Sequence, residues 1–243
     1  EAVACFEEVL AAHPADAVAY HNLGRVKAQE GRWDEAVAHY RESLQLAPDD
    51  TYALNNLGRA LVSLEDFEAA EEAFRSSLQH SANDPFALNN LAICLLKTSR
   101  VEQAIEPLEQ VLSLFPDDLL ALNNLGYAHT LTSRDDLAES VFRQVIGLAP
   151  DDTYALTNLG LSLSRMQRFD EAIAIFADVL ARDPNDLFAL HHTALCQLNK
   201  GEPLEALRIF DELAQQREGM GDLPIANNRG LALVALERWD EAS

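Results

Sequence analysis

The hexapeptide ALNNLG occupies residues 53–58 and recurs at residues 121–126, and the related ALNNLA occupies residues 87–92. Successive copies start 34 residues apart. Self-similarity at a fixed period of about 20–50 residues is typical of architectures in which each unit stacks on its neighbours. The stretch therefore predicts a repeat protein, and it raises the question of why asparagine, a poor former of helix interiors, is used twice in each copy.

Three ladders of residues extend the same period along the chain. They are the small residue after the NL pair, an alanine further on, and a bulky apolar residue four positions after that alanine. Apolar residues within each repeat are spaced three and four apart, and no useful stretch alternates with a period of two, so each repeat is expected to form two α-helices and no strand. The ladders are Gly24, Gly58, Ala92, Gly126, Gly160 and Ala194; Ala2, Ala36, Ala70, Ala104, Ala138, Ala172 and Ala206; and Phe6, Tyr40, Phe74, Leu108, Phe142, Phe176 and Phe210.

The pattern resembles the tetratricopeptide repeat (TPR) family through Tyr20, Gly24, Ala36, Tyr40 and Pro48 and their copies, over essentially the whole chain. The resemblance implies an all-α TPR solenoid, a right-handed superhelix of antiparallel helix pairs. We expect one array over residues 1–243. It comprises the second helix of a truncated repeat at 1–16, complete repeats 1 to 6 at 17–50, 51–84, 85–118, 119–152, 153–186 and 187–222, and an incomplete last repeat at 223–243.

Helical geometry separates two faces of the first helix of each repeat. We number the positions of a repeat from 1 to 34, starting at Ala17, and advance 100° per residue. Positions 4, 7, 8 and 11 then share one side and are mostly Leu, Gly and Ala, which predicts a packing face. Positions 2, 5, 6, 9 and 13 fall on the opposite side, so both asparagines of ALNNLG are expected to point away from that packing face.

The resemblance implies that the first helices line a concave groove. The asparagine ladder at position 6 is similar to that in the TPR superhelix of O-GlcNAc transferases, where it grips a peptide backbone. A primary amide carries two donors and an acceptor, so it suits backbone recognition. The candidate peptide-binding residues are Asn22, Asn56, Asn90, Asn124 and Asn158 at position 6, with His192 and Asn228 continuing the ladder; Asn55, Asn89 and Asn123 at position 5; Tyr52, Phe86, Tyr154 and Phe188 at position 2; and Arg25, Arg59, Tyr127, Lys97 and Arg165 at positions 9 and 13.

Two structural alternatives stand beside this interpretation. The amides of the ladder can instead bond one another and neighbouring turns, and the aromatic rings at position 2 can instead pack between repeats. The basic residues also raise the alternative of a clamp for a terminal carboxylate, as in TPR domains of chaperone adaptors. Those domains need Lys or Arg at position 2 or 5, where this chain has aromatic residues and Asn.

The charge distribution restricts the kind of partner. The chain has 40 acidic and 18 basic residues and a formal net charge of −22, which argues against a nucleic-acid or anionic-membrane surface. The first 14 residues of the six complete repeats nevertheless contain one acid, Glu30, and six bases. The face of the first helices is therefore expected to be neutral to mildly basic inside an acidic shell, which favours a ligand with acidic or neutral polar character.

The cysteine count indicates the compartment. Three cysteines, Cys5, Cys94 and Cys196, do not make a disulfide framework, so we expect a reducing, cytoplasmic setting, with Cys94 and Cys196 as small buried residues. No apolar run approaches about 18–20 residues, and we find no signal peptide. The sequence begins without Met and is expected to be part of a longer chain.

No catalytic motif is present: the sequence has no Gly-rich phosphate loop, HExxH motif or nucleophile elbow. His191 and His192 are adjacent and point about 100° apart, which makes a poor metal pair. The paired acids of the PDD joints are better explained as helix caps. The sequence predicts a non-enzymatic scaffold without a cofactor that binds a protein or peptide.

Two other classes of function remain open. The chain can be the substrate-recruiting arm of a larger enzyme, for example a glycosyltransferase. It can also be a structural element that self-associates end to end, because both ends of the array expose unpaired helix surfaces.

Overall fold

The computed structural model describes residues 2–215 and 225–236, and all regular secondary structure in these two ranges is α-helical. The expectation of an all-α repeat fold is confirmed. The predicted last repeat, 223–243, is described only from residue 225 to residue 236. The helices are α1 (Ala2–Ala12), α2 (Ala17–Gln29), α3 (Trp33–Leu46), α4 (Thr51–Ser63), α5 (Phe67–His80), α6 (Pro85–Lys97), α7 (Val101–Leu114), α8 (Leu119–Leu131), α9 (Asp135–Leu148), α10 (Thr153–Arg165), α11 (Phe169–Leu180), α12 (Leu187–Lys200), α13 (Pro203–Gln215) and α14 (Ile225–Ala235).

Aspartates at the joints fix where the first helices begin. Asp50 caps α4 through an oxygen that accepts hydrogen bonds from the backbone N–H groups of Tyr52 and Ala53, at 3.0 and 3.1 Å. Asp84 caps α6 in the same way by accepting from the N–H of Phe86 at 3.0 Å. A carboxylate here satisfies amides that have no partner inside the helix and lies at the positive end of the helix dipole. The interpretation of the joint acids as caps is confirmed at these helices.

The turn inside every complete repeat contains one residue in the left-handed conformation, at position 15. Its φ angle lies between 58° and 90° in all six copies. This conformation reverses the chain within a short turn, and glycine adopts it without steric strain. Only two copies use glycine; the set is Gly31, Glu65, Ser99, Ser133, Gln167 and Gly201.

The chain divides into two compact halves, residues 1–128 and 129–243, and the division falls inside α8. In the N-terminal half, α2 packs on α3, α4 on α5 and α6 on α7, and the first helices α2, α4 and α6 also contact one another in sequence order. In the C-terminal half, α10 packs between α9 and α11, α12 between α11 and α13, and α14 lies against α13. Each half therefore buries the apolar sides of its helix pairs and leaves one side of its first helices unpacked.

The small and bulky ladders fit into each other. A Cβ atom placed on Gly58 would lie 2.4 Å from Cε1 of Phe74, and one placed on Gly160 would lie 2.7 Å from the ring of Phe176. Both rings are completely buried. The small residue at position 8 thus lets the two helices of a repeat approach closely enough to enclose the ring.

Two glutamates connect the second helices of consecutive repeats. Glu71 accepts hydrogen bonds from Arg75, at 2.8 Å, and from Arg100 of the next repeat. In the C-terminal half, Glu139 accepts from Arg143 and from Arg168 of the next repeat in the same way. Burial acts to raise the pKa of Glu71, but the hydrogen bonds from the two arginines outweigh it, so the pKa lies below its usual value. The carboxylate therefore stays ionised and bridges the repeats.

The predicted burial of Cys94 and Cys196 is confirmed. Cys94 and Cys196 are buried, Cys5 is exposed, and none forms a disulfide within the described ranges. Across the described residues, every helix is too short or too polar to cross a lipid bilayer.

Candidate functional site

The residues at position 2 of the first helices all face solvent, as expected. Tyr52 and Phe86 are 74% and 72% exposed, although both rings are large and apolar. An exposed ring contributes little to folding, so these two are available to a ligand. The full set of exposed position-2 residues is Val18, Tyr52, Phe86, Leu120, Tyr154 and Phe188.

The amides at position 6 are half-buried and differ in their partners. Asn56 Nδ2 lies 2.9 Å from Nε2 of His21, and Asn158 Nδ2 donates to the carbonyl oxygen of Tyr154 at 2.9 Å. Within the described part of the chain, the Asn90 side chain forms no hydrogen bond. The alternative in which the amides bond neighbouring groups therefore applies to Asn56 and Asn158 but does not account for Asn90.

The position-6 residues of helices α2 and α8 are Asn22 and Asn124. Asn22 Oδ1 accepts a hydrogen bond from Nη1 of Arg25 at 3.3 Å, within one helix turn. Asn124 Nδ2 is sealed from solvent and has no partner in the ranges that the structure describes. Asn228, which the sequence placed at the same position of the last repeat, is buried, so the expected exposure of the ladder does not extend to it.

The prediction that position 5 shares the open face is wrong for three repeats, since Asn55, Asn89 and His191 are buried. Asn55 shows the reason, because its Nδ2 donates to Oδ2 of Asp84, the cap of the next first helix, at 2.7 Å. The neighbouring repeat covers this position, which a helical projection of one repeat does not include. Asn55 therefore connects two repeats. The oxygen of the buried Asn89 amide has no hydrogen-bond partner among the described residues, and Asn123 is half-buried.

A pocket lies on the unpacked side of α4 and α6, and we call it the α4–α6 pocket. Its volume is about 700 Å³. Two exposed rings, the amides of consecutive repeats and one guanidinium line it. The residues that matter here are Tyr52, Asn55, Asn56, Arg59, Phe86, Asn90 and Leu120. The structure thus brings together seven neighbouring side chains within the N-terminal half, six of which were named as candidates from the sequence.

A second pocket, the α2–α4 pocket, has a volume of about 470 Å³ and shares Asn56 and Arg59 with the first. It is lined in addition by Arg25, Trp33 and Tyr40. Sequence reasoning assigned Tyr40 to packing and missed Trp33. The available signal was that Tyr40 is the only hydroxyl-bearing member of its ladder.

The predicted bases behave differently from one another. Arg25, Arg59 and Lys97 are exposed, and none of them forms an ion pair with a carboxylate in the described ranges. Arg165, by contrast, donates to the carbonyl oxygen of Thr130 and to Oγ of Ser133, at 2.8 and 2.9 Å. The expectation of an available cation is therefore wrong for Arg165, because its side chain is long enough to bind the turn of the preceding repeat.

Two of the candidates of the C-terminal half pack on other side chains. The ring of Phe188 lies 4.1 Å from the imidazole of His192, centroid to centroid, so the two side chains pack on each other. Burial lowers the pKa of His192 to about 4, and the charge of the neighbouring His191 makes a smaller contribution in the same direction. His192 is therefore neutral at physiological pH. Tyr127 is half-buried and Tyr154 is exposed. In the described ranges, no three His, Cys, Asp or Glu side chains group in a way that would hold a metal ion.

Comparison with known families matches two models of the tetratricopeptide repeat. One matches residues 1–49 and 16–83, and the other matches residues 61–126 and 133–197. Comparison with curated proteins finds no match.

Solved structures share the architecture. The chain is 22% identical to YrrB, a TPR protein with an unusual peptide-binding site, over 76% of this chain and 96% of that one, with a TM-score of 0.68. A tetratricopeptide repeat protein from Parabacteroides merdae is 16% identical, with 95% and 91% covered and a TM-score of 0.67. MamA from Desulfovibrio magneticus RS-1 is 24% identical, with 70% and 97% covered and a TM-score of 0.67. At these identities the likeness establishes the fold.

Proposed function

Because the chain belongs to the tetratricopeptide repeat family, whose fold suggests a protein–protein interaction scaffold, we propose that it binds an extended peptide segment of a partner protein. The segment lies on the first helices of the N-terminal half, in the α4–α6 and α2–α4 pockets. Its backbone is held by the position-6 amides and its apolar side chains by the rings at position 2. The proposal is one of binding, without a catalytic step.

The observation that carries this proposal is the combination of exposed rings and an unpaired amide in one pocket. Tyr52 and Phe86 line the α4–α6 pocket and are about three-quarters exposed, while the Asn90 amide beside them has no hydrogen-bond partner in the described ranges. Exposed large rings with adjacent polar groups are typical of interaction surfaces.

The chemistry of the amides matches a peptide backbone. An Asn side chain presents both N–H donors and a C=O acceptor, so it can pair with a peptide C=O and N–H without reading the side chain between them. Asn56 donates one N–H to His21, and its oxygen and its second N–H remain for a ligand. Asn56 and Asn90 lie one repeat apart in the same pocket, so an extended chain meets two such groups in order. The peptide-binding site of YrrB supports the choice of ligand class by analogy only.

The test is selection from a synthetic library of acetylated, amidated peptides of about ten residues, followed by affinity measurement on the selected sequence by fluorescence anisotropy. Replacing both Asn56 and Asn90 with Ala is expected to weaken binding by about thirtyfold, since two net hydrogen bonds of roughly 1 kcal/mol each are lost. Methylating single backbone nitrogens of the peptide should reproduce the loss at the positions that face these amides.

The matched control is Asn185→Ala, which removes an exposed amide at a joint of the C-terminal half. It should leave the affinity unchanged, and circular dichroism should show that all variants stay helical. If the library yields no ligand, or if the double variant binds the selected peptide as tightly as the wild type, the proposed site is wrong.

A further inference from the structure

The two arginines of the α2–α4 pocket occupy position 9 of consecutive first helices and have no acidic partner in the described part of the chain. Among the described residues, Arg25 is bound only to the amide oxygen of Asn22, at 3.3 Å, and the Arg59 guanidinium forms no hydrogen bond. Three other arginines of the same half pair with glutamates: Arg32 with Glu35, and Arg75 and Arg100 with Glu71. In a chain with a formal charge of −22, two adjacent uncompensated cations are unexpected.

The floor of the same pocket carries a hydroxyl group without a partner. Tyr40 is only 2% exposed, it lines the pocket, and its hydroxyl is neither hydrogen-bonded to a described residue nor among the side-chain atoms sealed from solvent. Burial raises the pKa of Tyr40 to about 12, while Arg25 and Arg59 act to lower it, so both guanidinium groups act electrostatically on the phenol. The hydroxyl is therefore a protonated donor beside two cations.

These groups have the composition of an anion site. A carboxylate accepts two parallel N–H bonds from one guanidinium and a further bond from a hydroxyl, and charge-assisted bonds of this kind are stronger than neutral ones. The pocket adds the ring of Trp33, which excludes part of the solvent and can stack on a guanidinium plane. It is continuous with the α4–α6 pocket through Asn56 and Arg59, which line both.

We propose that the α2–α4 pocket is a subsite for the carboxylate of an internal Asp or Glu side chain of the bound segment, held by Arg25, Arg59 and Tyr40. This inference rests on the proposed function and makes the partner an acidic segment whose apolar side chain lies in the neighbouring α4–α6 pocket. The carboxylate has a second chemical source, the C-terminus of a peptide, and the experiment separates the two.

The first experiment uses an amino-acid probe, so that its result does not depend on the groove. Acetyl-Glu-amide is titrated against the protein while the indole resonance of Trp33 is followed by NMR, with Trp239→Phe to remove the second indole of the chain. We expect the resonance to shift with acetyl-Glu-amide and not with acetyl-Gln-amide. The shift should disappear in Arg25→Gln/Arg59→Gln and persist in Arg41→Gln, which removes an exposed charge from α3, outside both pockets.

The second experiment uses the peptides selected from the acetylated, amidated library. Wild-type protein should prefer the acidic residue over its amide at one position by about tenfold, and the double arginine variant should reduce that preference to about twofold while keeping the preference for the apolar residue. Tyr40→Phe should weaken the acid preference and remain folded, because phenylalanine occupies this position in four other complete repeats.

The outcomes are distinct. Shifts with acetyl-Glu-amide but no selected peptide would support the anion site and overturn the proposed function. Selected peptides without an acid preference, or with a preference that survives in Arg25→Gln/Arg59→Gln, would overturn the subsite and leave the proposed function intact. Binding only to a second library that ends in a free carboxylate would overturn the internal side chain as the source.

Discussion

Nδ2 of Asn55 lies 2.7 Å from Oδ2 of Asp84, and the other carboxylate oxygen of Asp84 caps helix α6. One amide thus holds the residue that starts the first helix of the next repeat. His21 repeats the arrangement one repeat earlier, with Nδ1 3.7 Å from Oδ2 of Asp50, the cap of α4. In repeats 1 and 2, the position-5 side chain therefore contacts the cap of the next first helix. The position-6 amide of Asn90 has no such contact in the described ranges.

This difference in contacts predicts that asparagines at positions 5 and 6 contribute differently to stability. Asn55→Ala should lower the free energy of unfolding by about 1–3 kcal/mol, because a buried hydrogen bond to a charged group is lost. Asn90→Ala should change it by less than about 0.5 kcal/mol, since that half-buried amide has no partner in the described ranges. Urea unfolding followed by circular dichroism measures both. Equal losses for the two variants would contradict the separation of roles.

The contact between Gly58 and Phe74 predicts a destabilising effect of one methyl group. A Cβ at residue 58 would lie 2.4 Å from the completely buried ring of Phe74. Gly58→Ala should therefore lower the free energy of unfolding by about 1–3 kcal/mol, despite the higher helix propensity of alanine. Gly147→Ala is the matched control, because its added methyl meets no atom within 4 Å. That variant should gain up to about 1 kcal/mol. A destabilisation of the same size in both variants would rule out the ring contact as the cause.

The buried imidazole of His192 predicts a pH dependence of stability. Because burial lowers its pKa to about 4, the unfolded chain takes up a proton near pH 6.5 and the folded chain does not. The free energy of unfolding should therefore fall as the pH falls from about 7 to about 5. His192→Asn, which installs the residue of the other repeats, should make this slope shallower but not abolish it, since burial also lowers the pKa of His191. Urea unfolding at several pH values tests this, and an unchanged slope would exclude His192 as its source.

The fold followed from the sequence because period, small residues and rings report contacts inside one repeat. Gly58 and Phe74 belong to the same helix pair, and each lies on a ladder that repeats every 34 residues. Asn55 was misplaced because its partner, Asp84, lies 29 residues away and belongs to the joint before the next repeat. Arg165 was misplaced because a helical projection gives the direction of Cα–Cβ and not the reach of a long side chain. Tyr40 was assigned to packing because it belongs to the ladder of bulky apolar residues. Its single hydroxyl group does not interrupt that pattern.

The exposed rings of the α4–α6 pocket give the most direct separation of binding from folding. Tyr52→Ala and Phe86→Ala should each lower the affinity for the selected peptide by about tenfold or more. Aromatic side chains contribute the largest single terms to binding free energy at interfaces. Each should change the free energy of unfolding by less than about 0.5 kcal/mol, because about three-quarters of each ring is already in water.

Leu204→Ala is the control for this pair of variants. Leu204 is 70% exposed on α13, in the C-terminal half, and is as apolar as the two rings without lining either pocket. Its removal should alter neither peptide affinity nor stability. Affinity is measured by anisotropy and stability by urea unfolding on the same samples. If the ring variants lose stability in proportion to affinity, the rings are packing elements between repeats and the peptide contact must lie elsewhere.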